Sequence, residues 1–188
     1  MLVLASASPR RQELLRNAGI AFEVQPADIP EDAFPGEDAK KCAERLAREK
    51  ALAVALQRPQ DSVLGADTIV AVNGELLGKP ADSADAARML RLLSGRDHEV
   101  ITGVCLVVKG QPFVGSETTR VTVDRITDQE IADYVATGEP MDKAGAYAIQ
   151  GIASRWVPRI EGDYSNVVGL PVALVYRLIR AHASTSSM

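Results

Sequence analysis

The sequence predicts an α/β fold, a mixed twisted sheet flanked by helices. Three observations carry it. Short apolar runs of strand character alternate with helical segments along the 188 residues. The run Ser62–Val72 is almost continuously apolar, as a strand buried on both faces is. Turn signals separate the segments, with no internal repeat and no low-complexity linker. A chain of this size with 46% hydrophobic residues buries roughly 70% of its unfolded surface, enough for a sizeable core. One domain over residues 1–180 is therefore expected, as two lobes sharing a cleft, followed by a small polar tail over residues 181–188 that frays.

Each element has its own signal. Leu2–Ala5 is a short buried strand. Pro9 to Asn17 is a helix with Ser8 as N-cap, Pro9 at the first helical position and Gly19 just past its end. Phe22–Val24 reads as a second strand. Gln25 to Glu37 holds Pro26, Pro30, Pro35 and Gly36 and reads as a loop. Asp38 to Gln57 is rich in strong helix formers. After Ser62–Val72, Asn73-Gly74 signals a tight hairpin into Glu75–Leu77. Asp82 to Leu93 is a helix closed by Ser94-Gly95. Val100–Val108 and Thr118–Ile126 are strands, with Gly110, Pro112 and Gly115 marking a loop between them. Thr127-Asp-Gln-Glu130 is a capping box that opens a helix to about Thr137. Glu139 to Gly151 is a loop by composition, Ala153–Ile160 a strand, and Leu170–Arg180 a closing helix.

Charge and cysteine usage narrow the function. Lys plus Arg is 21 and Asp plus Glu is 25, a net charge of −4. A protein that coats a nucleic-acid polymer carries a strong positive excess, so no such partner is expected. A single small anion remains compatible, because a local cluster of cations can oppose the average. Cys42 and Cys105 stand far apart. They allow one disulfide on paper and fit two buried thiols of a cytoplasmic protein better. No apolar run reaches the roughly 18 residues of a membrane span, and the N-terminus lacks a signal-peptide core, so no membrane partner is expected.

Several polar residues sit where the pattern does not favour them. Helix N-termini prefer acids, yet the first turn after Ser8 carries Arg10 and Arg11. An anion docked there would use both guanidiniums, the free N–H groups, Ser6 and Ser8; two solvated arginines fit the same pattern. Lys50 falls on the apolar stripe of the long helix with Cys42, Ala43, Leu46, Ala47 and Val54. A buried ammonium needs an anion, or a route for its head to water. Asp67 and Thr68 interrupt the buried strand, beside Gly65, which permits close approach. Glu31 lies in the Pro-rich loop and Lys79 in a turn after Gly78; each also fits plain exposed surface. Cations at the first helix, Lys50 and Lys79 would surround a polyphosphate, and Asp67 with Glu31 would hold Mg²⁺. The chemistry that follows is metal-assisted attack of water on phosphorus. An aspartate is a weak base at neutral pH, so Asp67 is assigned to positioning water and metal as much as to taking a proton. Gly74-Glu-Leu-Leu-Gly78-Lys79-Pro80 is not a phosphate-binding Walker loop, a Gly-x-Gly-x-x-Gly fingerprint is missing, and no Gly-x-Ser-x-Gly elbow accompanies the two histidines.

Taken together, Ser6-Ala-Ser-Pro-Arg-Arg11, Gly65-Ala-Asp-Thr68, Gly78-Lys-Pro80, Ser94-Gly95 with His98 and Thr102-Gly103, Asp142-Lys-Ala-Gly-Ala-Tyr-Ala-Ile-Gln150-Gly and Asn166-Val-Val-Gly-Leu-Pro171 resemble the Maf family of nucleoside triphosphate pyrophosphatases. The resemblance runs in order over residues 2–180. It implies a two-lobed α/β fold with a cleft, related to inosine-triphosphate pyrophosphatases and often dimeric. It implies hydrolysis between the α and β phosphates to a nucleoside monophosphate and pyrophosphate, with Mg²⁺ or Mn²⁺, as sanitation of the nucleotide pool. By that likeness Asp67 accepts the proton, Arg11, Thr68 and Gln150 set specificity, and Glu31, Lys50 and Lys79 are further polar site positions. Gln150 is similar to the branch acting on dTTP and UTP; the sibling branch acting on 7-methyl-GTP often has Glu there. An amide offers donor and acceptor to a pyrimidine edge, whereas a carboxylate suits a cationic methylated guanine. Pro30 departs from the family pattern, which has an acid just before the Glu31 position. A nucleotide-binding regulator of cell division is the alternative that the resemblance carries.

Overall fold

A computed structural model describes residues 1–183. In chain order its elements are β1 (Leu2–Leu4), α1 (Pro9–Asn17), β2 (Glu23–Val24), α2 (Ala39–Ala55), β3 (Ser62–Val72), β4 (Glu75–Leu77), α3 (Ser83–Leu93), β5 (Asp97–Val108), β6 (Gln111–Thr122), α4 (Asp128–Ala136), β7 (Arg159–Glu161), α5 (Tyr164–Val168) and α6 (Val172–Ala183). Short 3₁₀ turns occupy Glu139–Asp142, Ala144–Ala146 and Ile152–Trp156. The sheet has seven strands in the order β2-β1-β3-β5-β6-β7, with β4 on the far half of β3. β1 pairs in parallel with β2 and β3, and every other pairing is antiparallel, so the sheet is mixed. The α/β class read from the sequence is what the chain forms.

Several expectations need correction. The strand expected over Thr118–Ile126 is β6, which starts at Gln111, and β5 starts at Asp97 rather than Val100. The two strands meet at a two-residue turn, Lys109-Gly110, whose φ values of 50° and 77° are the left-handed pair that tight hairpins use. Pro112 and Gly115 lie inside β6, not in a loop. Over residues 111–119 this strand pairs only with β5, so a proline without an N–H is tolerated on its open side. The strand expected over Ala153–Ile160 is a 3₁₀ turn followed by the three-residue β7. Ala153 and Trp156 are both buried, at the spacing of three that a 3₁₀ turn superposes on one face. The five-residue α5 is too short for periodicity to reveal. Finally, α6 continues through Ala183, so residues 181–183 of the expected tail are helical, and residues 184–188 lie outside the described residues.

The long strands β3 and β5 run through two lobes. Near their β1 end, Val63 and Cys105 pack under α2, while Leu64, Ala66, Val104 and Leu106 pack under α1 and α6. At the other end, Val70, Val72 and Val100 join α3, α4, Tyr147 and Trp156 in a second core. Cys42 and Cys105 are both buried thiols. No helix among the described residues is long and apolar enough to cross a membrane.

The topology leaves an opening between the lobes. β1 covers the edge of β3 only as far as Leu64, and β4 resumes only at Val70. Residues 65–69 therefore have β5 on one side and no strand on the other. Side chains alternate along that window: Gly65 and Asp67 face α2, whereas Ala66 and Thr68 face α1.

Candidate active site

A cleft of about 820 Å³ opens over this window. Ser6, Ser8, Arg10, Arg11, Glu31, Lys50, Asp67, Thr68, Lys79 and Gln150 all line it. It lies at the carboxyl end of β1, where open α/β sheets present their ligand sites.

On the α2 face, Lys50 is 6% exposed and its ammonium is shared by two carboxylates. Nζ donates to Asp67 Oδ1 at 2.6 Å and lies 2.7 Å from Glu31 Oε1. Lys79 Nζ stands 3.4 Å from Glu31 Oε2. Partial burial pushes the Glu31 carboxyl up, but the Lys50 hydrogen bond and the charges of Lys50 and Lys79 outweigh it and hold the group below its usual range. The loop carrying Glu31 is fastened by Arg45, which the sequence did not single out. Its guanidinium pairs with both Glu37 oxygens at 2.7 and 2.8 Å, donates to the Asp32 carbonyl at 3.0 Å, and stacks under Phe34 at 3.9 Å. The only signal in the sequence is that Arg45 follows the Glu37-Asp38 cap by two turns.

On the α1 face, the expected Ser8 N-cap is in position but makes no side-chain cap bond. Its own N–H donates to Ser6 Oγ at 3.3 Å, and the first turn has no acidic side chain. The two arginines behave differently. Arg10 is half-open and pairs with Asp142 at 3.1 Å across the mouth of the cleft. Arg11 is 9% exposed and donates to the Gly169 carbonyl (2.8 Å), the Ala66 carbonyl (2.9 Å), Ser6 Oγ (3.2 Å) and Thr68 Oγ1 (3.1 Å). Burial lowers the pKa of its guanidinium, and Asp67 opposes that. Arg11 thus ties α1, β3 and the α5–α6 link into one unit, with four of its five N–H groups spent on partners among the described residues. Gln150 is exposed in the segment that Asp142 and Tyr147 also supply to the cleft wall.

Tyr147 is braced from behind. His98, 3% exposed, places Nε2 2.7 Å from the Tyr147 hydroxyl, with the rings edge to face. Burial pushes the His98 imidazole from 6.5 down to about 4. The ring is therefore neutral in the fold, and between those two values the unfolded chain binds the extra proton. Stability is complete above about pH 6.5 and falls as the pH is lowered towards 4, by about 1.4 kcal/mol per pH unit. Denaturant titrations at about pH 7 and about pH 5 will show this loss in the native chain. His98→Gln will remove most of it; an unchanged slope in the variant would assign the loss to other groups.

Comparison with known proteins gives the family. The family described as Maf-like protein matches residues 1–182. A protein of Koribacter versatilis named dTTP/UTP pyrophosphatase is 64% identical over 179 residues, 95% of this chain and 93% of its own. One of Geobacter metallireducens with the same name is 53% identical over 181 residues, 95% of this chain and 94% of its own. A HAM1 protein structure from Coxiella burnetii overlays 66% of this chain and 73% of its own at 19% identity and a TM-score of 0.44. With the family match running from the first residue almost to the end of α6, through every segment that lines the cleft, this chain belongs to the Maf-like protein family.

Proposed function

We propose that this chain hydrolyses dTTP and UTP between the α and β phosphates, releasing a nucleoside monophosphate and pyrophosphate. The observation that carries the reading is the cleft floor: Asp67 and Glu31 held on Lys50, beside Lys79 and an arginine-bearing helix start. It is joined to 64% identity with a protein named for that activity.

The roles follow from position. Arg10, Lys79, the Ser6 and Ser8 hydroxyls and the start of α1 receive the phosphates. Asp67 takes the proton of the attacking water as the new P–O bond forms and the bridging bond to pyrophosphate breaks. Lys50 keeps Asp67 oriented and sits next to the developing negative charge. Thr68, Arg11 and Gln150 contact the nucleoside.

A divalent metal fits the donor set. Glu31 and Asp67 come from separate segments, yet both reach one ammonium, so both reach one small cation. Oxygen donors of this kind are those that Mg²⁺ and Mn²⁺ prefer, and two carboxylates would leave room for further oxygen ligands. When bound, such an ion neutralises phosphate charge and acidifies water.

We read residues 1–180 as one functional domain, because both lobes supply the cleft. A cytoplasmic site of action in nucleotide-pool sanitation suits the buried thiols Cys42 and Cys105, and a homodimer is the assembly we expect. A nucleotide panel with Mg²⁺ or Mn²⁺ tests the reading. Pyrophosphate release will be fastest with dTTP and UTP, will stop with chelator and will return with either metal. Preference for 7-methyl-GTP would overturn the pyrimidine assignment.

A further inference from the structure

Behind Thr68 lies a chain of hydrogen bonds whose direction turns on where the Thr102 proton goes. Thr102 is wholly buried on β5, opposite Thr68. Its hydroxyl donates to the Asn166 main-chain carbonyl at 3.2 Å. The Thr68 and Thr102 hydroxyl oxygens are 2.9 Å apart. A hydroxyl has one proton, so with that of Thr102 given to Asn166, whose carbonyl also accepts the Gly169 N–H, Thr68 donates to Thr102; this is the direction we infer. Among the described residues, the other acceptor within reach of the Thr68 proton is the Gly169 carbonyl at 3.5 Å, which also points inward. On its other side Thr68 Oγ1 accepts from Arg11 Nη2 at 3.1 Å. The end of the chain is held as well: the Asn166 side chain is buried and donates to the Val100 carbonyl and Thr119 Oγ1, both at 2.9 Å.

In that direction Thr68 has no proton left for a ligand and presents only a lone pair to the cleft. A phosphate oxygen, itself an acceptor, gains nothing there. Beside that lone pair sits the remaining Nη2 N–H of Arg11, a donor. The matching ligand edge carries a donor next to an acceptor. An imide does so in either orientation, because its N–H is flanked by carbonyls on both sides. Cytosine must shift by one ring atom to offer the same pair, which phosphates anchored at α1 oppose. We propose that Thr102 is a positioning residue that sets the hydrogen-bond polarity of Thr68, and that this polarity selects the imide edge of uracil and thymine over cytosine. The inference rests on the pyrimidine triphosphatase reading and deepens it.

The test is kcat/KM for UTP, CTP and N3-methyl-UTP with native protein, Thr102→Val and Thr102→Ser, each checked for folding by thermal denaturation. Valine keeps the shape and removes the acceptor, leaving the Thr68 proton only the 3.5 Å contact and freeing it to turn to the cleft. The UTP to CTP ratio will fall about tenfold in Thr102→Val, and Thr102→Ser will restore it. Native protein will reject N3-methyl-UTP, whose sugar is unchanged; if it accepts that substrate as well as UTP, Thr68 reads a ribose hydroxyl and the proposal fails. Equal loss for UTP and CTP in Thr102→Val makes Thr102 merely structural and also overturns it. Native protein that hydrolyses no pyrimidine triphosphate at all would instead overturn the parent reading.

Discussion

Asp67→Asn lowers kcat for UTP by about a thousandfold or more, with KM little changed. The substitution is isosteric, and an amide oxygen can still accept the Lys50 hydrogen bond now made at 2.6 Å. What disappears is the negative charge and the capacity to take a proton from water. The Lys50 ammonium, with a side chain 7% exposed, keeps Glu31 as its remaining anion at 2.7 Å, so the variant folds. Single-turnover measurement with a fixed metal concentration isolates the chemical step from nucleotide binding. Retention of more than about a tenth of the native rate would remove Asp67 from the proton path. The same variant separates an enzyme from a regulator that acts by holding nucleotide: binding survives and turnover does not. A cellular effect that persists in Asp67→Asn belongs to binding.

The residues that the cleft gathers were legible because each breaks a local rule. Arg10 and Arg11 oppose the polarity of a helix start, Lys50 sits on an apolar stripe, and Asp67 interrupts a buried strand. Conflicts of that kind concentrate where a ligand is received. The strand Ser62–Val72 was equally clear, since burial on both faces leaves an unbroken apolar run. What stayed hidden depends on main-chain atoms brought from afar. Arg11 spends four of its N–H groups inside the protein, two of them on the carbonyls of Ala66 and Gly169, and no side-chain pattern records where a carbonyl points. The polarity of Thr68 hangs on the main-chain oxygen of Asn166 in the same way. Pro112 and Gly115 misdirected the reading of β6 because they are loop signals only where both edges of a strand must pair.

Gly65→Ala will damage this fold severely for a single added methyl group. A Cβ at Gly65 would stand 2.7 Å from the Ala51 nitrogen and 2.9 Å from Ala51 Cβ, and closer still to the Ala47 carbonyl oxygen. Two of these are main-chain atoms of α2 and the third is a Cβ fixed to it, so no rotamer change relieves the clash and the helix itself must lift. Gly103, on the neighbouring strand β5, forms a second notch under Ala43 and Glu44. The two notches bring α2 against the sheet, and Lys50 lies between Ala47 and Ala51, the two residues that meet Gly65. The close approach that spares Gly65 a side chain is thus what lets Lys50 reach Asp67 at 2.6 Å. The expected cost is about 3 kcal/mol or more in denaturant unfolding, at the upper end for overpacking because backbone rather than side chain must yield. Gly78→Ala is the control, since a Cβ there meets nothing within 4 Å; its stability will stay within about 0.5 kcal/mol of native. Lifting α2 also lengthens the Lys50–Asp67 contact, so the folded fraction of Gly65→Ala will turn over substrate more slowly per molecule. A variant that loses stability but keeps full activity per folded molecule would show that Lys50 reaches Asp67 without the notch.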